Sequence, residues 1–184
     1  MIGEPKRPLK EPAARRAQAE LPAWFYRLSP RAQQVYLRSD AIDRFELAPS
    51  PSALALADAL LAALEAGQLA ATERAAQNLA TELCRLLHVR SVPLQVKGVR
   101  PRNARGELHG IFFSRPPRIV LWMRTAQRHD VVKPKTFLRT LMHELGHYLD
   151  YALLRLGDSY HTRGFFKRES FLVRALWPAE TGGD

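Results

Sequence analysis

The chain has a single cysteine, Cys84, in 184 residues, which excludes a disulfide framework and a cysteine-based zinc ribbon. Cys84 falls among Leu83, Leu86 and Leu87 in a helical pattern, where a small buried core residue is expected rather than a nucleophile. Long hydrophobic runs are missing too. Asp58 and Glu65 interrupt the most apolar helix, so no segment reaches the length of a membrane span. Residues 1–10 hold no apolar stretch of the signal-peptide kind, and a soluble cytoplasmic protein without a membrane partner is expected. No internal repeat is visible. Acidic residues are the minority, 18 against 28 Lys and Arg, and the imbalance is local. Between Lys97 and Arg139, eleven basic residues meet only Glu107 and Asp130, giving 11 − 2 = +9 of the net +10. Segment 97–139 is therefore either a solvated arginine-rich surface or a docking face for an anionic partner, nucleic acid or an acidic protein. Aromatic residues interleave only as Phe112, Phe113 and Trp122, so no base-stacking platform is evident.

What is present is a chain of about one domain, with enough apolar residues for a core. Residues 1–21, with three prolines, read as a flexible tail. Residues 22–90 read as a helical scaffold. Ser29-Pro30 opens a helix to about Phe45, residues 48–52 form a linker, and helices follow over about 54–67 and 69–87. From residue 91 the pattern changes. Residues 92–97 alternate like a strand, and Pro93 places that strand at a sheet edge or start. A basic loop is expected over 99–108 and strands over 110–113 and 118–123. A polar connection over 125–135 leads to a helix over about 136–156, and Gly157 separates it from a last helix over about 163–176.

The penultimate helix carries His143-Glu144-x-x-His147. Residues four apart lie about 40° apart on a helix, so both imidazoles can reach one metal ion, with Glu144 beside the pair. That placement suits a carboxylate that takes a proton from a water activated by the metal. With 6 His and 11 Glu, chance alone would produce the motif in roughly one such chain in a hundred. The flanks add to the signal: Leu138, Leu141, Met142, Leu145 and Leu149 form a broad apolar face, while Thr140, His143, His147 and Asp150 share a polar strip. A catalytic zinc usually takes three protein ligands and keeps one open position. Beyond His147 the candidates are His161, Asp158 and Glu169. A helix carries the chain roughly 15 Å past His147 before Gly157 turns it, and four extended residues, about 13 Å, bring His161 almost back. A helical return would present Glu169 instead, and distance alone permits both.

With strands at about 110–123, Thr140-Leu-Met-His-Glu-Leu-Gly-His147, thirteen residues to His161 and Phe165 four beyond, residues 92–176 resemble the small gluzincin-like metallopeptidases, the minigluzincins and SprT-like proteins. The resemblance implies an α+β fold with a gluzincin-like core, a small sheet and an H-E-x-x-H helix, here preceded by the helical part. It implies His143, His147 and His161 as zinc ligands and Glu144 as general base. It also suggests that the strand around Arg118–Met123 borders the cleft and pairs with an extended peptide. Family members that act on DNA-bound proteins often carry a further Cys-rich module, which this sequence does not have.

Smaller expectations go with these. Glu169, if not a ligand, is expected to pair with Arg168 or Arg174 or to support a ligand imidazole. Asp150 could orient an imidazole or lie free on the surface. Tyr160 or Arg163 could stabilise an oxyanion, although packing or surface roles are the plainer reading. His88, His109 and His129 have no ligand spacing and read as ordinary. Gly146 is expected to give clearance to a neighbouring strand. The expected activity is that of a zinc-dependent metallopeptidase acting on a protein or peptide. The rivals are a nucleic-acid-associated binding module with a structural or vestigial zinc, and a regulatory peptidase specific for one partner protein. A deformylase is disfavoured, since Cys84 stands far from the motif.

Overall fold

A computed structural model of the chain describes residues 21–177, save 49 and 105. Among the described residues it is an α+β fold of five α-helices and two small sheets. The tail expected over residues 1–21 lies outside the described residues but for its last position. Among the described residues no helix is long and apolar enough to cross a membrane.

Two helices begin by the same chemistry. Ser29 accepts the Ala32 amide at 3.3 Å ahead of α1 (Pro30–Ala41), and Ser50 accepts the Ala53 amide at 3.1 Å ahead of α2 (Pro51–Glu65). Each serine satisfies an amide that the first helical turn leaves orphaned, worth about 1 kcal/mol, and a proline at the first position needs no partner. Helix α1 stops at Ala41, short of the expected Phe45, because its end is held from outside. The Arg168 guanidinium donates to the carbonyls of Ser39 and Ile42, and the Gly164 amide donates to Asp40. Gly164 is required there: a Cβ at that position would run into the carbonyl oxygens of Ser39, Asp40 and Ile42. Helix α2 ends at Gly67, whose φ of +67° suits glycine. Helix α3 (Leu69–Leu86) packs Leu79, Leu83 and Cys84 inward, as expected for the lone cysteine. Burial pushes that thiol up to about 11, which keeps it unreactive.

The main sheet contains β1 (Leu94–Val99), β4 (Gly110–Ser114) and β5 (Pro117–Arg124) in the order β1-β5-β4. Strand β5 pairs in parallel with β1 and antiparallel with β4. This corrects the expectation that the strand around Arg118–Met123 lies open to an extended peptide. Ile119, Val120, Leu121, Trp122 and Met123 are all buried, so both faces of β5 are covered, as an unbroken apolar run implies for a central strand. The strand with a free edge beside the cleft is β4. The outer edge of β1 is taken up by α3: Gln77 accepts the Leu94 amide and Glu73 the Val96 amide, both at 2.8 Å. Within the basic loop, β2 (Arg102–Asn103) and β3 (Gly106–Glu107) form a short hairpin the sequence pattern does not announce.

Helix α4 (Pro134–Ala152) ends about one turn past His147, earlier than expected, and the chain returns through a left-handed Arg155 to α5 (Arg163–Leu176). Leu60, Leu64, Leu79, Leu83, Ile119, Leu121, Leu138, Leu141, Leu145 and Leu172 belong to one buried cluster, so the helical N-terminal part and the sheet-bearing part share a core.

Candidate metal centre

On α4 the two motif histidines project from one face, a turn apart. The return segment delivers His161 to the same point. The three Nε2 atoms form a small triangle: 3.2 Å from His143 to His147, 3.0 Å from His143 to His161 and 3.1 Å from His147 to His161. The return is pinned at both ends. Asp158 accepts the Ser159 amide at 2.8 Å and the Tyr151 hydroxyl at 3.1 Å, and Thr162 caps α5 through the Phe165 amide at 3.0 Å. Asp158 is thereby a turn residue here, outside the ligand group of His143, His147 and His161.

What holds the rings also fixes their protons. His143 Nδ1 lies 2.9 Å from a Glu169 oxygen, and the other Glu169 oxygen accepts from Arg139 at 3.0 Å. Glu169 therefore supports the His143 imidazole, and its cationic partner is Arg139 rather than the expected Arg168 or Arg174. His147 Nδ1 lies 2.7 Å from the Ser159 oxygen, whose own proton goes to Asp150 at 2.7 Å. The serine oxygen must then accept from His147 Nδ1. Asp150 in turn holds Arg168 at 2.9 Å in an ion pair that is 0–1% exposed. Asp150 thus orients His147 through Ser159 and is no surface carboxylate. With Nδ1 protonated on both rings, their Nε2 atoms present lone pairs.

Three nitrogens this close, two of them with no proton to share, have no complete hydrogen-bonding solution among themselves. A cation supplies one. A tetrahedral ion with bonds of about 2.0–2.1 Å holds its nitrogen ligands about 3.3–3.4 Å apart, only slightly wider than this triangle. The cluster can therefore hold a metal ion, with His161, the exposed member, on the open side. Burial, and next the repulsion that a charge on His143 or His161 would add, holds His147 down at about 3, so its ring stays neutral. Burial likewise lowers His161, with His143 adding to the effect and Glu169 opposing it.

Phe165 lies against the cluster, its centroid 4.6 Å from His147, 5.1 Å from His143 and 5.3 Å from His161. Gly146 serves this ring: a Cβ there would lie 3.3–3.4 Å from Phe165, so the clearance is for an aromatic and not for the expected strand. Phe166, half exposed, stacks on His161 at 5.7 Å.

The glycine that faces a neighbouring element closely is Gly110 in β4. A Cβ on it would lie 2.8 Å from Thr140 and 2.9 Å from the Glu144 side chain. A glycine opening a strand can signal such an approach, and that signal was open to reading in the sequence. Glu144 sits in this closeness. Burial pushes its carboxyl up to about 7, against the opposing effects of His143 and a hydrogen bond from the Phe112 amide. A cavity of about 350 Å³ opens beside it, lined in part by His109, Gly110, Thr140 and Arg139. His109, which has no ligand spacing, thus borders the site. Tyr160 packs with Trp24 and Tyr36 at 6.2 and 5.8 Å, which favours its packing role.

The basic segment is partly committed to internal contacts. Arg100 pairs with Glu107, Arg118 lies 3.8 Å over the Phe113 ring, Arg124 donates to the carbonyls of Gly67 and His129, and Arg139 holds Glu169. In comparisons with known proteins the chain matches no family model, no curated protein and no solved structure.

Proposed function

We propose that this chain is a zinc-dependent metallopeptidase, a reading shared with its resemblance to the small gluzincin-like enzymes. The observation that carries it is the convergence of three imidazole Nε2 atoms within 3.0–3.2 Å, next to a buried glutamate. His143, His147 and His161 would hold the ion. Zinc bound there supplies a Lewis acid that activates water and polarises a peptide carbonyl. Glu144, beside the ion, would accept a proton on its carboxylate and later return it to the leaving amine.

A peptide substrate is supported by the free edge of β4. In an antiparallel pair only alternate residues bond to the partner strand. Trp122 donates to His109, so His109, Ile111 and Phe113 face β5 while the backbone of Gly110, Phe112 and Ser114 faces outward. An extended peptide finds hydrogen-bonding groups along that edge at Gly110, Ser114 and the Phe112 carbonyl, the Phe112 amide being turned to Glu144.

The test is zinc content by elemental analysis, joined to turnover on unfolded protein. One zinc per chain is expected in the parent, lost in His161→Ala and kept at saturating zinc in Glu169→Ala. Glu144→Gln should keep its zinc and lose turnover. A parent that takes up no metal after reconstitution, yet binds DNA or RNA in a salt-sensitive way, overturns the enzyme in favour of a nucleic-acid module.

A further inference from the structure

Two cavities flank the contact of β4 with α4, and the one toward the C-terminal ends of both elements measures about 550 Å³. Phe112, Tyr148, Tyr151, Pro117, Ala152 and Gly157 line it. The Phe112 ring lies 6.1 Å from Tyr148 and 5.9 Å from Tyr151. Both tyrosine hydroxyls are engaged elsewhere, Tyr148 with the Arg90 carbonyl at 2.6 Å and Tyr151 with Asp158 at 3.1 Å. The cavity is therefore offered ring surface, with exposed Ser114 and Arg115 as its polar edge. The smaller cavity beside Glu144 differs, being bordered by Glu107, His109, Thr136 and Arg139.

Two residues tie the aromatic cavity to the candidate metal centre. Phe112 is a wall of the cavity, and its amide is the one that bonds Glu144. Tyr151 stands one helical turn beyond His147. A strand advances about 3.4 Å per residue, so a peptide lying on β4 has a side chain at this cavity within one or two residues of the point facing Glu144. Antiparallel pairing is the more stable arrangement. Since β4 runs from Gly110 toward Ser114, a peptide antiparallel to it passes the aromatic cavity first and Glu144 afterwards.

We propose that this cavity binds a large apolar side chain of the substrate peptide, aromatic by preference, on the N-terminal side of the bond that is cut. The proposal rests on the peptidase reading. Three rings with no free hydroxyl reward burial of an apolar side chain and aromatic pairing, and a carboxylate gains little there, since the one charged lining residue, Arg115, is exposed and screened by water.

The test uses fluorescein-labelled decapeptides, identical except for Phe, Leu, Gly or Asp at one position walked along the sequence. Binding is measured on the zinc-loaded Glu144→Gln chain, and cuts by the zinc-loaded parent are mapped by mass spectrometry. At one position before the cut, Phe and Leu should bind about tenfold or more tightly than Gly and Asp. Ala152→Phe, which fills the cavity, should abolish that preference and leave the Gly peptide's affinity within about twofold. Cleavage with no side-chain preference, or with the preference after the cut, overturns the cavity assignment and leaves the peptidase. A Phe preference in a parent that cuts nothing overturns the peptidase and leaves a side-chain pocket. Absence of both binding and cleavage overturns both. The parent's own preference decides the matter even if Ala152→Phe fails to fold.

Discussion

The two helical histidines of the candidate centre are steadied by carboxylates in opposite settings. His143 leans on Glu169, whose countercharge Arg139 is half exposed. His147 leans on Ser159, and through it on Asp150 and Arg168, a pair with no measurable access to water. The first support belongs to the cleft and the second to the core. Arg168 also donates to the carbonyls at the end of α1, so the group steadying His147 is the group that seats α1 on α5. A change in the first support should reach the metal first, and a change in the second should reach the fold first.

The most disruptive way to break this contrast is Arg168→Met. It leaves Asp150 buried without its cation and strips the carbonyls of Ser39 and Ile42 of their donor, and a loss of about 3–5 kcal/mol is expected. Urea unfolding of the metal-free protein measures it, and a loss under 1 kcal/mol would show that the pair is not structural. Glu169→Gln should do the reverse: zinc binding weakens about 10- to 100-fold by chelator competition, while metal-free stability shifts by about 1 kcal/mol. Equal effects on both quantities would erase the distinction. Ser159→Ala sharpens it, because it severs the core from His147 without touching the ion pair. Zinc affinity should fall about tenfold and stability by about 1–3 kcal/mol, less than for Arg168→Met, since one buried Asp150 oxygen loses its donor while the ion pair stays; with Asp150→Asn the effects on zinc should be strongly non-additive. Arg139→Ala is the smallest, at under about 1 kcal/mol and diminishing in high salt, since its guanidinium is open to solvent.

The parts that rest on local repetition were legible in the sequence. The spacing of His143, Glu144 and His147 sets them on one helix, and the serine caps with following prolines set where α1 and α2 begin. His161 was legible only as one of several candidates. Its choice over Asp158 and Glu169 depends on where α4 stops, which depends in turn on packing between α1, α4 and α5. The same holds for Ser159, an ordinary loop serine until the turn after Asp158 places it between His147 and Asp150. Strand order was also out of reach: the apolar run of β5 said that it is buried, but not that β4 takes the edge. Gly110 was a readable sign of close approach, and attention to Gly146 instead put the clearance on the wrong element.

The side chains of Gln77 and Glu73 along β1 carry a consequence for how the molecule meets others. They occupy amides that an incoming strand would need, so among the described residues the main sheet presents its open edge at β4. A second copy or an unfolded neighbour would add to that strand, and on the peptidase reading it would compete with a bound peptide for the same backbone groups.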